Sequence, residues 1–131
     1  MAKSLPTLKI IEKVRFPEFS DDSIVAKIDT GADTGAIHAS DIAIVQKKGR
    51  YRLSFKPFSS KKRIWLDHFS VKDVKSSNGE TQQRFYIRTD IFIHGKKRKI
   101  QISLTDRSNM NYEVIIGRKF LKGKFLVDPS D

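Results

Sequence analysis

Asp29-Thr30-Gly31 follows directly on an apolar run, Ile24-Val25-Ala26-Lys27-Ile28, and is the stretch of this sequence best placed to do chemistry. A carboxylate at the end of a buried strand is held in a fixed position, and the Gly beside it lets the backbone turn tightly. Thr30 can donate its hydroxyl to a neighbouring backbone group and brace that turn. Two such carboxylates brought together share one proton, because like charges about 3 Å apart cannot both ionise. One then takes a proton from water while its protonated partner polarises a carbonyl, the chemistry of peptide-bond hydrolysis. Acid and base roles belong to the pair and not to either carboxylate alone.

Only one Asp-Thr-Gly is present; Asp33, Asp41 and Asp106 lack the Thr-Gly context. Either two copies of the chain meet on a two-fold axis, each giving one Asp29, or the chain does not work by this chemistry. Taken alone the triplet is most often a plain turn, since Asp and Gly favour turns for local reasons. It gains weight from Val114-Ile115-Ile116-Gly117-Arg118, which begins 85 positions after Asp29. If the two segments pack side by side, Asp33 and Arg118 are expected to form a bidentate pair that braces the loop, with Ala32 and Gly117 beside it.

The elements that must position these groups read as strands. Leu8–Val14 is expected to open the fold as one strand, with others at Ser23–Ile28, Ile42–Val45, Tyr51–Phe55, Ile64–Val71, Phe85–Ile93 and Ile100–Leu104. Phe85, Ile87, Ile91 and Ile93 fall on one face of a period-two pattern. A single short helix is expected at Arg118–Lys122, after Gly117, so the fold class is all-β with one short C-terminal helix. Asn78-Gly79 is a strong hairpin signal between the longer strands. A hairpin with its tip at Lys75–Glu80, which places Ser76, Ser77, Asn78 and Gly79 at its turn, is either a flap that closes over substrate or an ordinary connection.

A chain of 131 residues supports one domain, 1–131, with a modest core, and nine Phe point to a core of aromatic and β-branched residues. No run of 18 apolar residues and no signal-peptide pattern is present, so the expected location is the cytoplasm, away from any membrane. The absence of Cys excludes disulfides, thiol nucleophiles and thiolate metal sites. The net charge of +11 implies an anionic partner: an acidic peptide, a ribosomal surface or nucleic acid. The basic clusters Lys47–Arg50, Lys61–Arg63 and Lys96–Lys99 read singly as solvated turns. Aromatic residues do not interleave with these clusters in sequence, which points to long-range attraction and not to a base-stacking platform.

Asp29-Thr30-Gly31-Ala32, followed by Thr34 and Ile37-His38-Ala39, is similar to the bacterial retropepsin-like proteins labelled "ATP-dependent zinc proteases". Leu104–Met110, Ile115-Ile116-Gly117-Arg118 and Phe125–Pro129 resemble further signatures of that family, so the likeness runs from Ile24 to Pro129. In retropepsins a β-branched pair followed by Gly-Arg forms the other half of the active-site architecture. The resemblance therefore implies a retropepsin-like acid-protease barrel, a catalytic Asp29-Thr30-Gly31 and a homodimer that cuts a peptide or protein. It further implies a link to glutamate ligases of the ATP-grasp type that extend a ribosomal protein, and so an acidic or glutamylated substrate. His38 is expected to brace the loop or touch substrate, and Asp106 with Arg107 to form an ion pair or anchor a turn near the site. The family label finds no echo in the residues. No His-Glu-x-x-His is present, His38, His68 and His94 lack ligand-like spacing, and no phosphate loop occurs, so neither metal nor cofactor is expected. A catalytically silent binding module for an acidic partner, or an RNA-associated barrel supported by the basic clusters alone, are the competing functions.

Overall fold

Residues 4–75 and 78–130 are described by the computed structural model. Eleven strands and one helix follow one another: β1 (Thr7–Lys9), β2 (Ile11–Arg15), β3 (Ile24–Ile28), β4 (Ala36–Lys47), β5 (Arg50–Pro57), β6 (Ile64–Leu66), β7 (Ser70–Lys75), β8 (Thr81–Ile93), β9 (Lys96–Thr105), β10 (Val114–Ile116), α1 (Arg118–Leu121) and β11 (Leu126–Asp128).

Six strands close on themselves in the order β10-β3-β2-β8-β9-β4, with β4 returning to β10. The barrel is mixed: β10 runs parallel to β3, and β4 parallel to β9, while the other neighbours are antiparallel. Its interior follows the period-two pattern, with Val14, Ala26, Ile28, Ile37, Ile87, Ile91, Ile93, Ile100, Ile102, Leu104, Val114 and Ile116 all buried. Phe16, Phe19, Phe55 and Phe58 form an aromatic cluster, with Phe19 and Phe55 meeting edge to face at 5.5 Å.

Several expected strands are divided or extended. Leu8–Val14 is two strands: the chain bends at Ile10, whose carbonyl accepts the Ile28 N–H, and β1 leaves to pair with β11 in a separate two-stranded sheet. Ile64–Val71 breaks at Asp67–Phe69, so that β6 joins β5 while β7 joins β8; Asp67 there takes the Arg52 guanidinium at 2.9 Å. Ile42–Val45 is the middle of a twelve-residue strand whose register shifts between Ser40 and Ala43, where Asp41 takes a positive φ of 50°. The bulge lets β4 serve the barrel with its first half and a β4-β5-β6 extension with its second. Lys47–Arg50 is a hairpin tip, whereas Lys96–Lys99 is the start of β9 and not a turn.

Candidate active site

β3 ends at Ile28 and delivers Asp29 to the barrel rim, where its backbone N–H donates to the Ile116 carbonyl at 2.9 Å. The Gly31 N–H donates to Asp29 Oδ1 at 3.0 Å and aims the carboxylate, while the Ala32 N–H closes the turn on the Asp29 carbonyl at 3.1 Å. Asp29 is half-buried; Thr30 and Gly31 are exposed. The Thr30 hydroxyl, expected to brace the turn, has no hydrogen-bond partner among the described residues.

The loop from Asp29 to Gly35 joins β3 to β4, and β10 is inserted between those two strands. This insertion requires close approach of backbone to backbone. A Cβ at Gly35 would lie 2.0 Å from the Ile115 carbonyl oxygen, and one at Gly117 would lie 2.7 Å from that of Asp33. After Gly117 the chain turns into α1 and clasps the loop: the Arg118 N–H donates to the Ala32 carbonyl at 2.8 Å and the Lys119 N–H to that of Asp33 at 3.1 Å. Arg118 Nη1 also donates to the Gly31 carbonyl at 3.1 Å.

The Asp33–Arg118 contact is not the bidentate grip expected. Arg118 Nη2 reaches Asp33 Oδ1 at 3.3 Å, while Lys119 Nζ takes Oδ2 at 3.1 Å, so one carboxylate bridges two cations. Arg118 is thereby divided between a side chain and the loop backbone. Lys119 and Gly35 escaped the sequence reading. Lys119 sits beside a motif residue, but Gly35 becomes recognisable only once β10 is known to lie against it.

His38 lies in β4 and braces a different loop. Its Nδ1 accepts the Arg107 N–H at 2.8 Å, which fixes the neutral ring with its proton on Nε2. The 3.7 Å approach of that nitrogen to Asp106 Oδ1 is therefore no ion pair in this tautomer. Asp106 anchors a turn: the Ser108 backbone N–H, 2.9 Å from Oδ1, and then the Ser108 side chain hold its carboxyl below the usual value. Arg107 Nε donates to the Tyr112 carbonyl at 2.9 Å, and burial pulls its guanidinium below the ordinary value. No ion pair joins Asp106 to Arg107 among the described residues.

A hollow of about 680 Å³ opens beside Thr30 and Asp33, floored by Leu121, Phe125 and Leu126 and edged by Arg118, Lys119 and Lys122. Asn78 and Gly79 sit in the turn of the β7–β8 hairpin, with Lys75 opposite Thr81 and the Asn78 side chain accepting the Glu80 N–H at 3.1 Å. Ser76 and Ser77, expected in the same tip, lie outside the described residues. No three or more His, Asp or Glu side chains gather as a metal-holding group among the described residues.

A carboxylate aimed by a Gly N–H, on a loop clasped by a strand-Gly-Arg segment, is accompanied by similarity along nearly the whole chain. Residues 7–131 match the model of the RimB-like family, retropepsin-like aspartic endopeptidase RimB. The chain belongs to that family. It is 34% identical over 122 residues to a probable alpha-L-glutamate ligase of Shewanella pealeana, an alignment covering 88% of this chain and 27% of the ligase. A probable alpha-L-glutamate ligase of Desulfotalea psychrophila is 30% identical over 121 residues, with 88% and 26% covered. The chain thus spans about a quarter of the length of these curated relatives. The crystal structure of Lpg0085 from Legionella pneumophila, a protein of unknown function, superposes with a TM-score of 0.76 at 26% identity over 98% of this chain and 96% of that one. The fold of this RimB-like chain is accordingly the all-β, retropepsin-like barrel with one short helix. No helix among its described residues is long and apolar enough to cross a membrane.

Proposed function

We propose that this RimB-like chain is an aspartic endopeptidase that works as a homodimer, each copy bringing one Asp29 to a shared two-fold axis. The observation that carries this is the state of the Asp29 loop in a single chain. The carboxylate is aimed by the Gly31 N–H, the Thr30 hydroxyl beside it is exposed and unpartnered among the described residues, and the sequence holds no second Asp-Thr-Gly. Two such loops facing each other give each Thr30 a partner and set the carboxylates close enough to share one proton. The ionised Asp29 takes a proton from water, and its protonated twin polarises the scissile carbonyl.

β11 supports the dimer. Among the described residues it pairs only with β1, along one edge, and Leu126 is 53% exposed on it. An open strand edge next to an apolar hollow is suited to adding a second copy of the same strand.

For substrate, the +11 charge and the cations at the rim of the hollow favour an acidic chain. The kinship with probable glutamate ligases points to glutamate-rich or glutamylated protein. The β7–β8 hairpin is then the flap that covers it. A second reading, a silent docking domain for an acidic or ribosomal partner, is favoured by one observation: the curated relatives are ligases of which this chain matches 27%.

Incubation of wild type and Asp29→Asn with glutamate-rich peptides, followed by mass spectrometry, separates the two. Hydrolysis by wild type alone is expected, with loss in the variant of at least about a thousandfold, the scale on which removing a dyad member acts. Binding without cleavage by both proteins would select the docking domain.

A further inference from the structure

We propose that the outward wall of the barrel formed by β2, β8 and β9, continued onto β7, binds a single-stranded nucleic acid at a site separate from Asp29. Both of its aromatic residues and two of its arginines alternate along β8, outside the basic clusters noted in the sequence, and β2, β7 and β9 add further cations through register. Along β8 the outward positions read Arg84, Tyr86, Arg88, Asp90 and Phe92, about 6.6 Å apart at two residues per step. Phe92 stands between Arg15 of β2 and Lys97 of β9, and the Arg15 guanidinium lies 4.4 Å over its ring. Tyr86 carries the Lys72 ammonium at 4.9 Å.

Charge on this wall is predominantly positive, its carboxylates being Asp90 and the neighbouring Glu18, which takes the Thr89 hydroxyl at 3.1 Å. Asp90 is neutralised by Lys99 Nζ at 2.7 Å and Lys97 at 3.8 Å. Arg15, Lys72, Arg84 and Arg88 have no carboxylate partner among the described residues. Lys72 is directly opposite Arg84 in the β7–β8 ladder, and like charges in that relation repel. A polyanion laid across the wall relieves that repulsion.

The rings decide which polyanion. A chain of carboxylates would draw Arg15 and Lys72 off the rings and leave Phe92 and Tyr86 without a stacking partner. Unpaired bases stack on aromatic faces and guanidinium planes while their phosphates take the ammonium groups. At its Phe92 end the wall stands away from the catalytic loop: Arg15 adjoins Val14, which pairs with Ile24, and Asp29 lies five residues along β3, about 16 Å off. Its Tyr86 end comes closer, since Tyr86 pairs with Ser103, whose N–H donates to the Gly35 carbonyl at 3.0 Å.

Fluorescence anisotropy of labelled oligo-U and oligo-T of about 12 nucleotides, a length suited to a single binding module, tests this on the full chain. Wild type is expected to bind, with affinity falling as salt rises by a log–log slope near −0.7 per phosphate contacted. Arg84→Gln/Arg88→Gln should weaken binding about tenfold and flatten the slope by about 1.4. Tyr86→Leu should weaken it about fivefold or more with the slope unchanged. Lys47→Gln/Lys48→Gln, an equal charge loss at the β4–β5 hairpin tip, should change it less than about twofold, and Asp29→Asn should bind as wild type, so that loss of proteolysis is read separately. Tighter binding of oligo-U than oligo-T identifies RNA as the ligand; the reverse identifies DNA. Equal losses at the wall and at the hairpin tip would overturn the proposal. So would a Tyr86→Leu variant that binds as wild type while poly-glutamate displaces the oligonucleotide, which would mark the wall as an acidic-peptide surface.

Discussion

Asp29 is positioned by backbone groups that do not titrate: its own N–H on Ile116 and the Gly31 N–H on its carboxylate. Among the described residues, the clasp around it relies on side chains only at Asp33, Arg118 and Lys119. Asp29, Gly31, Gly117 and Arg118 were legible in the sequence because their types and spacing carry the motif. Lys119 was not, since its partner depends on how α1 leaves the barrel. His38 was legible as a residue of interest but not in its role, because the Arg107 N–H it accepts comes from 69 positions away. Asp90 offers a pH test at this scale. The hydrogen bond from Lys99 is the largest influence on its carboxyl and lowers it below the ordinary value; Lys97 adds to the effect and burial opposes it. A carboxyl depressed in the folded state contributes stability above its unfolded value, about 3.9, and loses it as pH falls through the folded value. Wild type should therefore exceed Asp90→Asn in stability at neutral pH, and the gap should close on acidification below about pH 4. Denaturation curves between neutral pH and strong acid check this; a gap that stays constant would contradict it.

β10 is three residues long, yet it fixes the site, since it separates β3 from β4 and carries Gly117-Arg118 onto the loop. The Gly35 contact with Ile115 makes this arrangement intolerant of a single added methyl. Gly35→Ala is expected to destabilise the fold by about 3 kcal/mol, the upper range for overpacking, and to disorder the Asp29 loop before the far end of the barrel. Chemical denaturation, with hydrogen exchange at Asp29–Asp33, measures both. A variant as stable as wild type would mean that β10 is not held where described. At this scale the longer strands were legible from alternation, since Ile87, Ile91 and Ile93 share one buried face. The breaks at Ile10 and Asp67 were not, because apolar residues continue on both sides and only a change of pairing partner divides them. Bending of β4 at Asp41 was hidden for the same reason: a bulge is a relation between two strands.

Across the whole molecule, two surfaces stay unsatisfied in a single chain. One is the exposed Thr30 loop with the open edge of β11; the other is the basic wall of β8. The first is expected to be covered by a second copy and the second by a polyanion, and both follow from placement that composition only hints at. The +11 charge was legible from the start, but its division between the rim of the hollow and the barrel wall depends on strand register.

The central claim is that one dyad is assembled from two chains. Subunit mixing tests it most directly: wild type is held at fixed concentration while Asp29→Asn is added and hydrolysis of a glutamate-rich peptide is followed. If each dimer needs both carboxylates, the added variant captures wild-type chains in inactive pairs, and activity falls toward zero as the variant comes into excess. Activity that is unchanged by any excess of the variant would show that each chain works alone and would contradict the shared site.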